Sequence, residues 1–309
     1  MRRKDPLLSF GFLRAWAQSG SRHSIMTRTD SSEERRWFAE DLRVSSPVVH
    51  NPAIIDAFAK VPREEYLGNG PWRIHSRLQV GAVHTSPSAA LHEIYHDVLV
   101  SLDERRGLNS GLPSLWAFVF DHLNMAPGQT ILQVGAGVGY FTAILAELTG
   151  SEGRVIAYEI DEELARRAQS NLAHYAHVKV ISGDATQAVD LPNLDVVVAF
   201  AGVTHVPERW LSNLSDAGRM ALPFTGEDQW GFMMLLERAG DTFPVKSLVP
   251  CGFYHCGGAR RSDEEKALTA ALKAARGKDT DLAQYHRARP ENGIEDAWLV
   301  TDAYWISKA

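Results

Sequence analysis

The chain has 309 residues, 45% of them apolar, enough to bury one large core or a core with appendages. A formal net charge of −6 at pH 7, without a basic stripe, argues against general nucleic-acid binding. Two cysteines make no disulfide framework and no apolar run approaches the roughly 18 residues of a membrane span, so the expectation is a cytoplasmic enzyme with no membrane or nucleic-acid partner.

Residues 1–30 are basic, serine-bearing and poor in acids, and Arg14 interrupts their apolar part, which argues against a secretory signal. They read as a disordered leader, with the start left open between Met1 and Met26 and an organellar transit peptide as the alternative. Residues 31–125 form the next segment. From Ser32 to Lys60, EERRWFAEDLR and NPAIIDAFAKVP predict two helices, with Trp37, Phe38, Ile54, Ile55 and Phe58 as docking residues. Further on, Leu91 to His96 contains the pattern H-E-x-x-H. On a helix within Pro87 to Val100, His92 and His96 would share a face as zinc ligands, with Glu93 as a base. Twelve histidines make so short a pattern a plausible chance product, and no downstream motif places a third ligand. No metal is expected.

The strongest signal is Thr130 to Gly150, TILQVGAGVGYFTAILAELTG. A short apolar run enters the turn Gly135-Ala136-Gly137-Val138-Gly139, and an apolar-periodic segment leaves it, which predicts a strand, a glycine turn and a helix start. Position 140, where a dinucleotide fingerprint places its third glycine, holds Tyr140, so a smaller adenosyl ligand is favoured over NAD. A second run, VIAYEI, contains Glu159, which lies 24 residues after Gly135, where a doubly wound sheet sets a carboxylate beside a ribose. DEELARRAQSNLAHYA then reads as a helix with acids in its first turn. A third run ends in Asp184 and a fourth near Phe200. Strands alternating with helices predict a parallel sheet whose ligand sits outside the strands' carboxyl ends. Candidate cofactor-binding residues are Gly135, Ala136, Gly137, Gly139, Glu159, Ile160, Asp184 and Ala185, to which the family resemblance described next adds Gln133.

GAGVGYFTAILAEL, VIAYEIDEELARRAQSNL and SGDA resemble the protein-L-isoaspartate O-methyltransferases. So do KVPREEYLG (60–68), HVPERWLSNLSDAGRMALPFTG (205–226), MMLLERAG and VKSLVPCGFY, for a coverage of about residues 50–257. The resemblance implies an α/β, class I (Rossmann-like) methyltransferase with a mostly parallel seven-stranded sheet flanked by helices. It implies S-adenosyl-L-methionine as cofactor and an isoaspartyl or aspartyl residue of a peptide or protein as acceptor. The methyl ester would then close to a succinimide by attack of the following backbone nitrogen, without help from an enzyme residue. Two departures stand out. Gln133 replaces the family's usual acid, and in GLNSGLPSLWAFVFDHL, aligned by Pro113 and Ala117, Gly111 holds the position of the family's substrate serine. Ser110 and Ser114 flank it as substitutes. The backbone donors of residues 109–111 are candidates to orient the acceptor carboxylate, with Ser110 and Gly111 as tentative catalytic positions. Tyr95 and Asp97 match a Tyr-x-Asp found before this turn in the family.

Residues 126–257 thus form the cofactor-binding core and 258–309 a C-terminal extension. Cys251 and Cys256 read as buried thiols in a strand. Ser262 and Glu265 fit a capping box for a helix to about Arg276, and AWLVTDAYWIS alternates like a strand added to a sheet edge or folded over the cleft. The leading expectation is carboxyl methylation of isoaspartyl residues. The alternatives are a relative methylating a particular peptide aspartate or small acid, and a cofactor-binding protein acting by interaction alone.

Overall fold

The computed structural model describes residues 31–45, 49–76, 79, 81–275, 281–288 and 295–309; the leader read at 1–30 lies outside them. Helices α1 (Ser32–Ser45), α2 (Pro52–Lys60) and α3 (Glu64–Leu67) come first. Two small ribbons follow, β1 (Arg73–His75) with β2 (Val83–Thr85) and β3 (Ser101–Asp103) with β4 (Leu108–Asn109), then α4 (Pro113–His122). The central part runs β5 (Thr130–Val134), α5 (Tyr140–Thr149), β6 (Arg154–Glu159), α6 (Glu162–Asn171), β7 (Val178–Ser182), β8 (Leu194–Ala199) and α7 (Glu208–Ser212). It continues through β9 (Leu214–Thr225), β10 (Trp230–Glu237) and β11 (Val245–Gly252). The C-terminal part is α8 (Ser262–Ala274), β12 (Leu282–His286), β13 (Ala297–Val300) and β14 (Trp305–Lys308).

Seven strands form one sheet in the order β11-β10-β9-β8-β5-β6-β7, and β10 alone runs against the others. The inner strands are apolar on both faces, as strands covered on two sides must be. Alternate residues go to opposite cores. Ile131, Val155, Val196 and Val198 meet α1, α2, α4 and α5, whereas Leu132, Ile156, Val197 and Ala199 meet α7, α8 and the C-terminal strands.

Three expectations are corrected. Trp37 does not dock: it is 71% exposed, and α1 turns Phe38, Ala39 and Leu42 inward. Phe38 and Leu42 are four residues apart and share a helix face, which Trp37 misses by one position. No helix spans Pro87 to Val100; only a single 3-10 turn, Leu91–Glu93, forms there. The reason is Arg63, fully buried, whose guanidinium donates to the carbonyls of Ile94 (2.7 Å), His96 (3.0 Å) and Val98 (2.7 Å). Carbonyls drawn to one guanidinium cannot build a helical ladder, so the two imidazoles are not aligned for a metal. The capping box is also absent. Arg261 is the N-cap residue and makes no side-chain cap, Ser262 begins the helix, and Glu265 instead accepts from Arg260 Nε at 2.6 Å. A charged donor outcompetes a neutral backbone N–H for a carboxylate.

The tail forms two strands rather than one. β13 and β14 are joined by a turn in which Thr301 Oγ1 accepts from the Tyr304 and Ala303 amides, and β14 pairs with both β12 and β13. This small sheet reaches the main one through a bridge from Gln284 to Pro244, just before β11.

Candidate active site

The parallel register sets the site. Val134 pairs with Tyr158 and Ala199, and Glu159 pairs with Ser182, so the turns after β5, β6, β7 and β8 open on one side. They line a cleft of about 770 Å³, a volume typical of small-molecule sites. Gly135, Ala136, Gly137, Glu159, Ile160, Asp184 and Ala185 line it, together with Ser110 and Gly111. Gln133 and Gly139 stand behind its wall. Gln133 is fully buried, with Nε2 3.4 Å from the Gly135 carbonyl and Oε1 without a protein partner. Gly139 has φ +94°, and a Cβ there would lie 2.8 Å from Leu172 Cδ1, so this glycine lets the turn sit against α6.

The cofactor half is built on Gly137 and Glu159. Gly137 has φ +57° and its missing Cβ faces open space, which leaves backbone bare toward the cleft. Its N–H donates to Glu159 Oε2 at 2.7 Å, and the Asp161 N–H donates to Oε1 at 3.0 Å. Glu159 is 7% exposed, and burial raises its carboxyl above the usual range despite those two donors. Each carboxylate oxygen can accept a further bond, so the ribose diol of an adenosyl group can be held there. Asp184 caps the following 3-10 turn through Thr186 N–H and Oγ1, both at 2.8 Å. Ile160 is apolar yet 61% exposed beside it. The volume, bare backbone, diol acceptor and exposed apolar rim suit S-adenosylmethionine.

A strap not anticipated from the sequence closes the other wall. Residues 253–257 follow β11 along the cleft. Gly257 and Gly258 lie so near Ile160, Thr186 and Asp184 that a Cβ on either would meet them within 2.9 Å. The Tyr254 hydroxyl donates to the Gly107 carbonyl across the cleft. Behind the strap, Arg260 donates to the carbonyls of Gly202, Thr225 and Gly226 and to Thr225 Oγ1, at 2.9–3.0 Å. The only trace of this device in the sequence is the pair of glycines in CGFYHCGG. Cys251 is in β11 but Cys256 lies in the strap; both are buried and free, and burial pushes both thiols up to about 12.

The acceptor half differs from a serine-bearing turn. Gly111 has φ +75°, and a Cβ there would sit 2.8 Å from Phe141 Cε2 and 3.0 Å from Trp116 Nε1. A serine does not fit this position. Trp116 is fully buried, stacks on Phe200 at 3.5 Å and 18°, and meets Phe141 and Phe253 at 5.8 Å. Ser110 is 9% exposed; its hydroxyl accepts from Val100 N–H at 3.0 Å and lies 3.2 Å from the Gly111 carbonyl. The Ser110 and Gly111 amides donate to the Val100 carbonyl (2.8 Å) and Asn109 Oδ1 (3.0 Å). These groups hold the turn together. Ser114, half-buried on the cleft wall at the start of α4, donates its own N–H to Asp97 Oδ1 at 2.8 Å. The other half of the Tyr-x-Asp pair, Tyr95, donates its hydroxyl to Glu64.

Comparison with known proteins agrees with this arrangement. Residues 38–258 match the family profile described as protein-L-isoaspartate(D-aspartate) O-methyltransferase. The protein-L-isoaspartate O-methyltransferase of Ignicoccus hospitalis is 25% identical over 224 residues, covering 72% of this chain and 96% of that one. That of Methanopyrus kandleri is 32% identical over 198 residues, covering 62% and 77%. A solved structure titled protein-L-isoaspartate O-methyltransferase superposes with a TM-score of 0.61 at 19% identity, over 90% of this chain and 88% of that one. One from Plasmodium falciparum, titled as a putative such enzyme in complex with S-adenosyl-L-homocysteine, gives 0.56 at 17% identity, over 72% and 97%. At these identities the two structures speak to the class I methyltransferase fold alone.

Proposed function

The chain belongs to the protein-L-isoaspartate(D-aspartate) O-methyltransferase family, and from that premise we propose that it transfers a methyl group from S-adenosylmethionine to the carboxylate of an isoaspartyl residue. The observation that carries this reading is one cleft with a bare Gly137 backbone and a buried Glu159 carboxylate on one wall and the Asn109–Ser114 turn on the other.

When bound, the cofactor supplies an electrophilic methyl group. Glu159 would accept from its ribose hydroxyls, Gly135 to Gly137 would let it lie against backbone, and Asp184 and Ile160 would border its adenine. On the acceptor side the Ser114 hydroxyl offers a donor to the substrate carboxylate, whereas the Ser110 hydroxyl donates to the Gly111 carbonyl and accepts from the Val100 N–H. A carboxylate with a pKa of about 4 is ionised at neutral pH, so no strong general base is required. The contribution of the chain is alignment and exclusion of water, the latter through Trp116, Phe141, Phe200 and Phe253 around the turn.

The test is methyl transfer from labelled S-adenosylmethionine to matched peptides carrying isoaspartate or normal aspartate. Base-labile label on the isoaspartyl peptide alone is expected. The rebuilt turn at Gly111 favours a second reading, in which the acceptor is an aspartate of a particular peptide or a small acid. Label on aspartate instead would select it. Cofactor binding without transfer to any acceptor would leave a protein acting by interaction.

A further inference from the structure

The cleft has an unusual lining. Among the described residues its carboxylates are Glu159 and Asp184 toward the cofactor end and Asp228 at the rim, no lysine or arginine lines it, and His255 is its one imidazole. A substrate carboxylate is therefore not held by an opposite charge. The rim is instead apolar and aromatic. Trp230, at the start of β10, lines it while 56% exposed. Its strand partner is Gly252, and a Cβ added there would sit 3.5–3.6 Å from the indole, so the ring lies over a position with no side chain and more than half of the residue meets solvent.

The ring is held on a rigid mount. The main-chain N–H of Trp230 donates to Asp228 Oδ1 at 3.2 Å, its main-chain carbonyl accepts from the Gly226 N–H at 2.9 Å, and the Gln229 carbonyl accepts from the Phe253 N–H at 3.0 Å. Across the same cleft stand Leu115 and Phe118 of α4, both half-buried, with Tyr254 of the strap 40% exposed. A preorganised tryptophan kept in water at the rim of a binding cleft gains most by covering its face with an apolar group.

The group that would lie there is set by continuity with the cleft, since Gly135, Ser114 and Trp230 line the same cavity. A peptide whose carboxylate enters between Gly135 and Ser114 leaves along that cleft and carries its neighbouring side chains toward the Trp230 rim. Resting on the methyltransferase reading above, we propose that Trp230 is a specificity-determining residue, and that this enzyme selects acceptor peptides bearing a bulky apolar or aromatic side chain beside the methylated residue. Acidic neighbours are disfavoured by Asp228 and by the lack of cations.

The experiment measures kcat/KM on isoaspartyl hexapeptides, and on the aspartyl series, that differ only in having Phe, Leu, Ala or Glu on either side of the acceptor. Wild type is expected to prefer Phe and Leu over Ala and Glu by about tenfold, carried mainly by KM. Trp230→Ala should compress the series to within about twofold and Trp230→Phe should keep the preference. Calorimetric affinity for S-adenosylhomocysteine, unchanged in both variants, shows that the cleft is folded. Equal rates across neighbours in wild type, or a preference that survives Trp230→Ala, overturns the assignment while leaving the carboxyl methyltransferase reading standing. No transfer to any peptide despite cofactor binding overturns that reading, and this inference falls with it.

Discussion

Glu159 shows how one side chain takes its chemistry from its place. At the end of β6 it is buried against the Gly135–Gly139 turn, and burial raises its carboxyl while the Gly137 and Asp161 amides partly offset that. On the proposed reading the ribose hydroxyls donate to the ionised form, so affinity is present above the folded pKa and is lost as pH falls through it. Cofactor affinity should thus begin to weaken at a pH above the ordinary carboxylate range. Glu159→Gln should lower affinity for S-adenosylhomocysteine roughly 10- to 100-fold at neutral pH, the weight of hydrogen bonds to a charged group. It should also flatten the acidic limb, and calorimetric titration between pH 5 and 8 measures both. An unchanged limb in the variant would move the titration to another group. Glu159 was readable because its spacing from Gly135 is set by strand and helix lengths. Gly111 was readable as a missing serine, but the rings that forbid a serine come from α4 and α5 and share no local pattern with it.

Among the elements, the segment from Ile94 to Val98 is organised by a residue 31 to 35 positions away. Arg63 spreads two nitrogens over three carbonyls, approaches Ser110 Oγ at 3.5 Å, and sits 5.7 Å from the Phe38 ring and 5.8 Å from that of Tyr140. Through Val100 and Ser110 this cluster sets the Asn109–Ser114 turn, the proposed acceptor site. A lysine has one nitrogen and cannot reproduce the planar fork. Arg63→Lys should therefore destabilise the protein by about 3 kcal/mol, the scale of a buried charged network left partly unpaired. It should also raise KM for the acceptor more than it changes cofactor affinity. Denaturant unfolding and steady-state kinetics together test this, and a loss below about 1 kcal/mol would show that water replaces the fork. Local periodicity over Pro87–Val100 suggested a helix because Leu91, Ile94, Tyr95 and Val98 share a face. The long-range hydrogen bonds override that preference.

At the scale of the whole molecule, the C-terminal extension is part of the second core. Leu268, Leu282, Tyr285, Leu299, Tyr304 and Ile306 pack in one cluster with Leu132, Val197 and Leu222 of the main sheet. Tyr304, 1% exposed, stacks on Tyr285 at 5.0 Å, meets Phe224 edge-on at 6.4 Å and donates its hydroxyl to the Thr204 carbonyl. Beside it Glu264, 1% exposed, accepts from Thr204 Oγ1 at 2.7 Å and pairs with Arg261 at 3.1 Å. A single cooperative unit follows from this shared core. Tyr304→Ala should lower stability by about 4 kcal/mol, as large-to-small changes of buried aromatics do. Near-ultraviolet and far-ultraviolet circular dichroism should then report one coincident transition at a lower denaturant midpoint. Two separate transitions would mean that the extension unfolds on its own.

The order of residues along the chain indicated the parallel sheet, the glycine turn and the position of Glu159, because these rest on apolar runs, glycine conformation and element lengths, all of them local. It also marked the acceptor turn as altered, through Gly111. What surrounds Gly111, why the H-E-x-x-H segment is not a helix, and the strap and Trp230 that border the cleft came from the folded chain. Each of those depends on groups far apart in the chain whose meeting is set by burial and hydrogen bonding in three dimensions. A one-dimensional pattern has no term for either.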